Sequence, residues 1–403
     1  MKNIHYKWIL LNVLLIVSIP LLSQDKEVKE DKKVSFYINH GPYVQAITDN
    51  MATIIWTTNE DATSWVEIAP DDDSNFYAEE RQKFFETKFG KKVIGKLHRI
   101  TVSGLTPATS YRYRIFSKNV KREEAYYVEY GRTVSSKVFR AKQYKFKTLD
   151  KSMNSISFSV LNDIHSNNEL LKKLIDKSRP FNPDFYVLNG DMTSYMSSEE
   201  QLLGGFVDTC VKEFATEKPF YMVRGNHETR GTFSDKYIDY FPTTTNNPYY
   251  SFKQGPCYFV VLDGGEDKPD SDIEYSGLAD FDHYRNSELE WLKTIVNSRD
   301  FIQARYRIVF LHVPPTKSSW HGALDLKKKF IPVLNDANID VMLCAHFHKY
   351  DYNPKGENGL NFPMIINSNK EALNIKANDN ELCIKIIDVK GDVIKQFNYK
   401  PLK

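Results

Sequence analysis

Two hydrophobic rhythms divide the chain. Between residues 34 and 148, short runs rich in β-branched and aromatic residues recur: YVQAI, ATIIWTT, SWVEIAP, HRITVSGL, SYRYRIFSK and VFRAKQYKFKTL. Their spacing, with turn residues between them, predicts an antiparallel β-sandwich. Within Ser110–Phe116, Tyr111 and Tyr113 alternate with Arg112 and Arg114, the period of a strand with one buried and one solvated face. Residues 71–95, with DDD ahead of KFFETKFGKK, read as a polar excursion between strands, and Asp71–Asp73 as a solvated loop with Ca²⁺ binding as the alternative. From Ile156 the rhythm changes. Apolar runs (ISFSVL, FYVLN, PFYMV, CYFVVL, YRIVFL, VMLCA) alternate with helical patterns over 168–178, 199–215, 286–298 and 324–336. The third helix shows Leu289, Trp291, Leu292 and Ile295 on one stripe, with Asn286 or Ser287 as its expected cap. Such alternation implies α/β layering. The tail returns to β, with ELCIKIIDV and DVIKQFNYK joined through Lys390-Gly391 as a hairpin.

The first 23 residues stand apart from both rhythms. Lys2 and Lys7 precede an apolar run from Trp8 to Leu22, and Ser23 leads into the polar QDKEVKEDKK, the layout of a cleavable secretory leader. An apolar run of about 15 residues falls short of the roughly 20 that span a bilayer, so no stable membrane span is expected after cleavage. The expected organisation is a leader over 1–23, a β-sandwich over 34–149 and an α/β domain over 153–400, with the mature protein secreted or periplasmic. Four cysteines, Cys210, Cys257, Cys344 and Cys383, are scattered singly. The last three sit in β-like apolar runs and read as buried free thiols, although an oxidising compartment would allow pairing.

Composition adds two restrictions. At 403 residues with 41% hydrophobic and 26% charged positions, the chain is an ordinary globular protein of two or three domains. Its net charge of +2 resides in Lys2 and Lys7, and without the leader 52 basic residues face 52 acidic ones. A neutral chain has no general attraction for nucleic acid. The run Asp263–Asp282 holds eight acids against Lys268 alone and reads as a solvated loop; if it borders a site it would repel polyanions.

The chemistry concentrates where five α/β strands end: LNDIH (Asp163, His165), LNGD (Asp191), VRGNHE (Asn226, His227), FLH (His312) and CAHFH (His346, His348). Ligands of open α/β sheets bind at the carboxyl ends of strands, so these segments can meet in one crevice. Five of the ten histidines lie in them. Carboxylate and imidazole donors together suit Zn, Mn, Fe or Ni, whereas an all-oxygen set would suit Mg or Ca. A single Asp-x-His or His-x-His carries little weight; the full ordered set at strand ends carries much.

This set resembles the calcineurin-like metallophosphoesterase superfamily. With the preceding sandwich, whose Leu105-Thr-Pro-Ala-Thr-Ser-Tyr111 resembles the corner signature of fibronectin type III domains, it is similar to the purple acid phosphatase branch. The implied fold is a mixed-sheet α/β metallophosphoesterase sandwich preceded by an all-β, fibronectin type III-like sandwich. The resemblance implies two ions, with Fe, Zn or Mn expected: Asp163, His165, Asp191 and His348 on the first, and Asp191, Asn226, His312 and His346 on the second, Asp191 bridging. It implies His227 as a phosphate ligand or leaving-group acid, and His321, in SSWHG, as a further substrate histidine. One position departs from the branch. Its iron-ligating tyrosine three residues after the bridging Asp is Ser194 here, with Tyr195 one place late, so His165 is expected to replace it. The implied reaction is hydrolysis of a small phosphate monoester or diester by a metal-activated water, with no nucleic acid expected as partner. The alternative is a non-catalytic metal-binding surface or adhesion protein.

Overall fold

The computed structural model of the chain describes residues 35–137 and 141–402; the expected leader lies outside them. The all-β region is one seven-stranded sheet that doubles over on itself. Its spine is the 20-residue strand Met51–Pro70. The first half of this strand pairs with Tyr43–Gln45 and Gly95–Ser103, and the second half, from Ala62, pairs with Ser110–Glu124. The register shifts between Thr57 and Ala62, an irregularity of the kind that bends a strand and lets it change partners. Val44, Ile54 and Trp56 from one half and Val66, Ile115 and Phe146 from the other close one apolar cluster. The two expected layers are thus two halves of a continuous sheet. Tyr111 makes the expected corner bond, its hydroxyl oxygen accepting from the Thr106 N–H at 2.9 Å. Asp72 in the 71–95 excursion is taken up by Arg112 at 2.9 Å.

The α/β region has two mixed six-stranded sheets. In the first, Phe220–Val223, Phe185–Asn189 and Ser155–Leu161 run parallel, followed by Glu371–Asn378, Leu382–Asp388 and Val393–Tyr399 in antiparallel pairing. In the second, Cys257–Val261, Tyr306–Phe310, Val341–Cys344 and Met364–Ile366 run parallel, with Tyr250–Gln254 and Asp351–Asn353 antiparallel at the two edges.

The sheets share a core, since Phe158, Val160, Phe185 and Val187 of one meet Phe259, Ile308, Phe310 and Leu343 of the other. The alternate residues face outward to helices. Tyr186 and Leu188 meet Leu171, Leu174 and Phe206, while Val260, Val309 and Met342 meet Leu292, Leu326 and Phe330. Strands buried on both faces read as continuous apolar runs, which is why the sequence shows them so plainly.

Two of the four helices depart from expectation at their starts. The predicted 168–178 stretch is the helix Asn168–Ser178, and 199–215 is helical throughout, with π-type turns at Leu203–Val207 and Val211–Ala215. The third helix begins at Phe281 rather than at 286, which puts Asn286 and Ser287 in its interior, so neither is the cap. The fourth begins at His321 rather than 324. Asp280 and Trp320 precede these two helices without a side-chain capping bond of their own; Asp270 instead accepts from the Phe281 and Asp282 N–H groups at 2.9 and 3.0 Å. The cysteines are free, three buried and Cys383 half-buried. No helix among the described residues is long and apolar enough to cross a membrane.

Candidate metal centre

The centre is built from five parallel strand ends, three from the first sheet and two from the second. Asp163 and His165 follow Ser155–Leu161, Asp191 follows Phe185–Asn189, and Asn226 and His227 follow Phe220–Val223. From the opposite sheet, His312 follows Tyr306–Phe310, and His346 and His348 follow Val341–Cys344. The crevice therefore opens along the matched ends of two facing sheets rather than at one open sheet.

Backbone conformation does much of the gathering. Asp163, His165, Asp191, His346 and His348 all have φ between 49° and 74°, a left-handed region that residues with a side chain enter at a cost. Each strand ends in a sharp reversal that turns its side chain inward. Two glycines allow the resulting approach. A Cβ on Gly190 would stand 2.3 Å from Nδ1 of His312, and one on Gly225 would stand 2.2 Å from Oδ1 of Asp191. Across the sheets, the His312 ring is set by its Nδ1, which lies 2.7 Å from the Asn189 carbonyl. A carbonyl only accepts, so Nδ1 carries a proton and Nε2 faces the crevice; burial would lower this ring, but Asp191 and Asp163 outweigh it and raise it to about 10, so Nε2 also holds a proton, whose place a cation would take.

The donor atoms form three overlapping sets: Asp163, His165 and His348; His165, Asp191 and His227; and Asp191, His312 and His346. Within each set, one atom from each residue lies within 4.8 Å of the others. Individual separations include 3.2 Å between Nε2 of His165 and Nε2 of His348, 3.4 Å from His348 Nε2 to Asp163 Oδ1, and 3.1 Å from His312 Nε2 to Asp191 Oδ2. Ligands about 2.1 Å from one ion and roughly 90–109° apart sit about 3.0–3.4 Å from each other, so these are edge lengths of a coordination shell. Three deeply buried atoms here lack any hydrogen-bond partner: Asp163 Oδ1, Asn226 Oδ1 and His312 Nε2. Buried polar atoms are ordinarily satisfied, and three orphans pointing into one crevice fit a cation as their missing partner.

His346, His165 and Asp191 hold the protonation states of ligands, whereas the hydrogen bond to Asp163 raises His348 toward its protonated form. Burial, together with the neighbouring His312, pushes the His346 imidazole down to about 4, which keeps it neutral at physiological pH. Burial likewise lowers His165. Burial would raise the Asp191 carboxyl, but His312 and His227 outweigh that and hold it well below the usual carboxylate range. Asp191 is therefore an anion, with Oδ1 accepting from the His227 N–H at 3.0 Å and Oδ2 facing His312.

The remaining sequence candidates divide. His227 stands at the rim: its Nδ1 lies 2.9 Å from the Ser194 carbonyl, its Nε2 4.0 Å from Asp191 Oδ2, and its ring 4.8 Å from that of His165. Ser194 Oγ lies 3.4 Å from His165 Nδ1, and the half-exposed Tyr195 joins none of the donor sets. His321 joins none either. Its Nε2 lies 2.8 and 2.9 Å from the two carboxylate oxygens of Asp282, so its ring is engaged at the start of the last long helix.

Two features escaped the sequence reading. Glu228, directly after His227, is fully buried and accepts from the backbone N–H groups of Asp191, Met192, Thr193 and Gly225 at 2.7–3.2 Å. One carboxylate thus pins the Asp191 loop to the Asn226 loop, and burial first, then Asp191, pushes it up to about 7. Its position inside the VRGNHE motif was the available signal. The second is a correction. The start of the 263–282 acidic run is not solvated, since Asp263, Glu266 and Asp267 are buried. Asp263 is held by Arg224 at 2.5 Å and by the Tyr284 hydroxyl at 2.6 Å, and Asp267 Oδ2 stands 3.7 Å from His346 Nε2. This segment is a wall of the crevice.

Comparison with known proteins agrees with both halves of the chain. Residues 156–350 match the calcineurin-like phosphoesterase family, and residues 42–148 match the N-terminal domain of purple acid phosphatases. Purple acid phosphatase 21 of Arabidopsis thaliana is 23% identical over 282 residues, covering 65% of this chain and 56% of the plant protein. The mouse serine/threonine-protein phosphatase CPPED1 is 24% identical over 205 residues, covering 48% of this chain and 61% of the mouse protein. The chain thus spans less than two thirds of the length of either relative. Among solved structures, the yellow lupin purple acid phosphatase PPD1 superposes with a TM-score of 0.63 at 14% identity, covering 89% of this chain and 73% of that one, which establishes a shared fold. With the donor sets at its strand ends and both matches in order along the sequence, the chain carries a calcineurin-like phosphoesterase domain preceded by the N-terminal domain of purple acid phosphatases.

Proposed function

We propose that this chain is a secreted dinuclear-metal phosphoesterase acting on small phosphate monoesters or diesters. The observation that carries the reading is that Asp191 belongs to two donor sets, one with His165 and His227 and one with His312 and His346, beside three buried atoms, Asp163 Oδ1, Asn226 Oδ1 and His312 Nε2, that have no hydrogen-bond partner. On this reading Asp163, His165, Asp191 and His348 hold one ion, and Asp191, Asn226, His312 and His346 hold the other. The mixed oxygen and nitrogen donors favour Zn, Mn or Fe, and with Ser194 beside His165 no tyrosinate enters the shell. Bound there, two ions supply an activated water and offset the charge of the phosphate oxygens.

The chain's own residues then handle orientation and protons. The Ser194 carbonyl fixes the His227 ring through Nδ1 and leaves Nε2 toward the crevice. A water oxygen forms the new bond to phosphorus and releases a proton to solvent. The ester P–O bond breaks with its electron pair on the leaving oxygen, which takes a proton from solvent to give the free alcohol, while His227 Nε2 donates a hydrogen bond to a non-bridging phosphate oxygen. His321 has no part in this scheme, since Asp282 holds its ring. Secretion rests on the leader sequence alone.

The test is metal analysis of purified protein together with hydrolysis of an aryl monophosphate and a bis-aryl phosphate. The expected result is metal-dependent turnover that falls by about 10³-fold or more in Asp191→Asn, with loss of bound metal. Turnover at the wild-type level in that variant would sink the reading.

A further inference from the structure

Arg230 stands three residues after His227, beyond the short turn His227–Thr229. Its guanidinium is gripped from one side. Nε donates to Glu266 Oε1 at 2.7 Å and Nη2 to Glu266 Oε2 at 2.8 Å, a bidentate clamp. Glu266 is itself buried and accepts from the Thr229 hydroxyl at 2.9 Å and from the Tyr275 hydroxyl at 3.1 Å. Asp267 lies 3.9 Å from Nη2 on the same side. With that edge committed, Nη1 has one hydrogen-bond contact among the described residues, His227 Nε2 at 3.4 Å, a long and weak one. Two polar atoms that could each bind an oxygen strongly are left facing one another.

We propose that Arg230 is a substrate-binding and specificity-determining residue of the centre, its Nη1 sharing with His227 Nε2 one non-bridging phosphate oxygen. The proposal rests on the phosphoesterase reading and deepens it. An oxygen within hydrogen-bond distance of His227 Nε2 also comes within reach of Nη1, because the two nitrogens are only 3.4 Å apart. Glu266 and Asp267 offset the charge of Arg230, so what it offers the substrate is an aimed donor rather than a general positive field. The chemistry of the oxygen then decides which esters profit. A monoester dianion presents a third charged oxygen at this position, a strong acceptor for two donors. A diester presents an esterified oxygen there, a poor acceptor. Arg230 thereby favours monoesters, and Glu266 is the positioning residue that keeps Nη1 pointed at the substrate.

The test compares wild type, Arg230→Lys and Arg230→Gln, each loaded with metal. The readouts are metal content, calorimetric binding of inorganic phosphate, and kcat/KM on an aryl monophosphate and a bis-aryl phosphate. The expected result for Arg230→Gln is unchanged metal content, roughly 10–100-fold loss on the monoester and in phosphate affinity, and less than about 3-fold loss on the diester. Arg230→Lys, which keeps the charge but loses the fork, should fall between. Equal losses on the two esters, loss of metal, or unchanged phosphate binding would each overturn the assignment. A wild-type protein that hydrolyses neither ester and binds no phosphate would instead remove the phosphoesterase reading on which the assignment rests.

Discussion

Two regions of this molecule bury histidine, and they do so for opposite reasons. At the strand ends, the rings of His165, His312, His346 and His348 crowd around Asp163 and Asp191. Their donor atoms converge in overlapping sets whose members lie within 4.8 Å of one another. In the all-β region His98 is more deeply buried than all of these but His312, yet stands apart from other histidines, its Nε2 2.9 Å from the Thr58 hydroxyl and its ring against Trp56 at 5.3 Å. His40 is also alone, its Nδ1 2.9 Å from Asp208 on the 199–215 helical stretch. Convergence, not burial, marks a centre able to take a cation.

If that contrast is right, ions should stabilise the first group and leave the second indifferent. Stripping the protein with a chelator and restoring metal at 100–1,000 times its dissociation constant should add roughly 3–4 kcal/mol per site, read as a higher thermal midpoint. Asp163→Ala should abolish most of that gain, and a midpoint that ignores metal would erase the distinction between the regions. The next effect is smaller and belongs to His98, whose imidazole burial pushes down to about 3. The unfolded ring takes a proton near pH 6.5 while the folded one does not, so His98 contributes stability above pH 6.5 that is lost as pH falls toward 3. Between pH 6.5 and 4.5 the loss should be roughly 2–3 kcal/mol, at about 1.4 kcal/mol per pH unit. Urea unfolding of His98→Phe, compared with wild type, should show that slope removed. His40 should give the smallest effect and the reverse slope. Its hydrogen bond to Asp208 raises it, burial partly opposing, so its contribution is full below pH 6.5 and fades as pH rises through the folded value. His40→Gln should cost about 1 kcal/mol at pH 5.5 and less in alkali.

Much of this was legible in the sequence because of where the ligands sit. An apolar run buried on both faces ends abruptly at LND, LNGD or LCAH, so strand and ligand announce each other. The pairing of the strands was harder to see. Nothing local says that Ser155–Leu161 and Tyr306–Phe310 belong to different sheets, because both are simply apolar. The helix start at Phe281 was missed because its cap, the Asp270 carboxylate that accepts from the Phe281 and Asp282 N–H groups, lies eleven residues upstream, and the start at His321 because Trp320 offers no capping bond. The acidic wall was missed for a different reason. Asp263 and Glu266 look solvated in sequence because the groups that neutralise them, Arg224 and Arg230, come from another strand end some 36–39 residues earlier. A charge run can be judged only with its partners, and these arrive through the fold.

The left-handed backbone at Asp163, His165, Asp191, His346 and His348 has a consequence for anyone seeking to harden this protein. Each such position carries a conformational penalty of about 1 kcal/mol that glycine would relieve. Stability and ion capture therefore pull in opposite directions at the same five places. A screen for heat resistance run on metal-free protein would reward glycine there, and its most robust winners would be those least able to hold an ion.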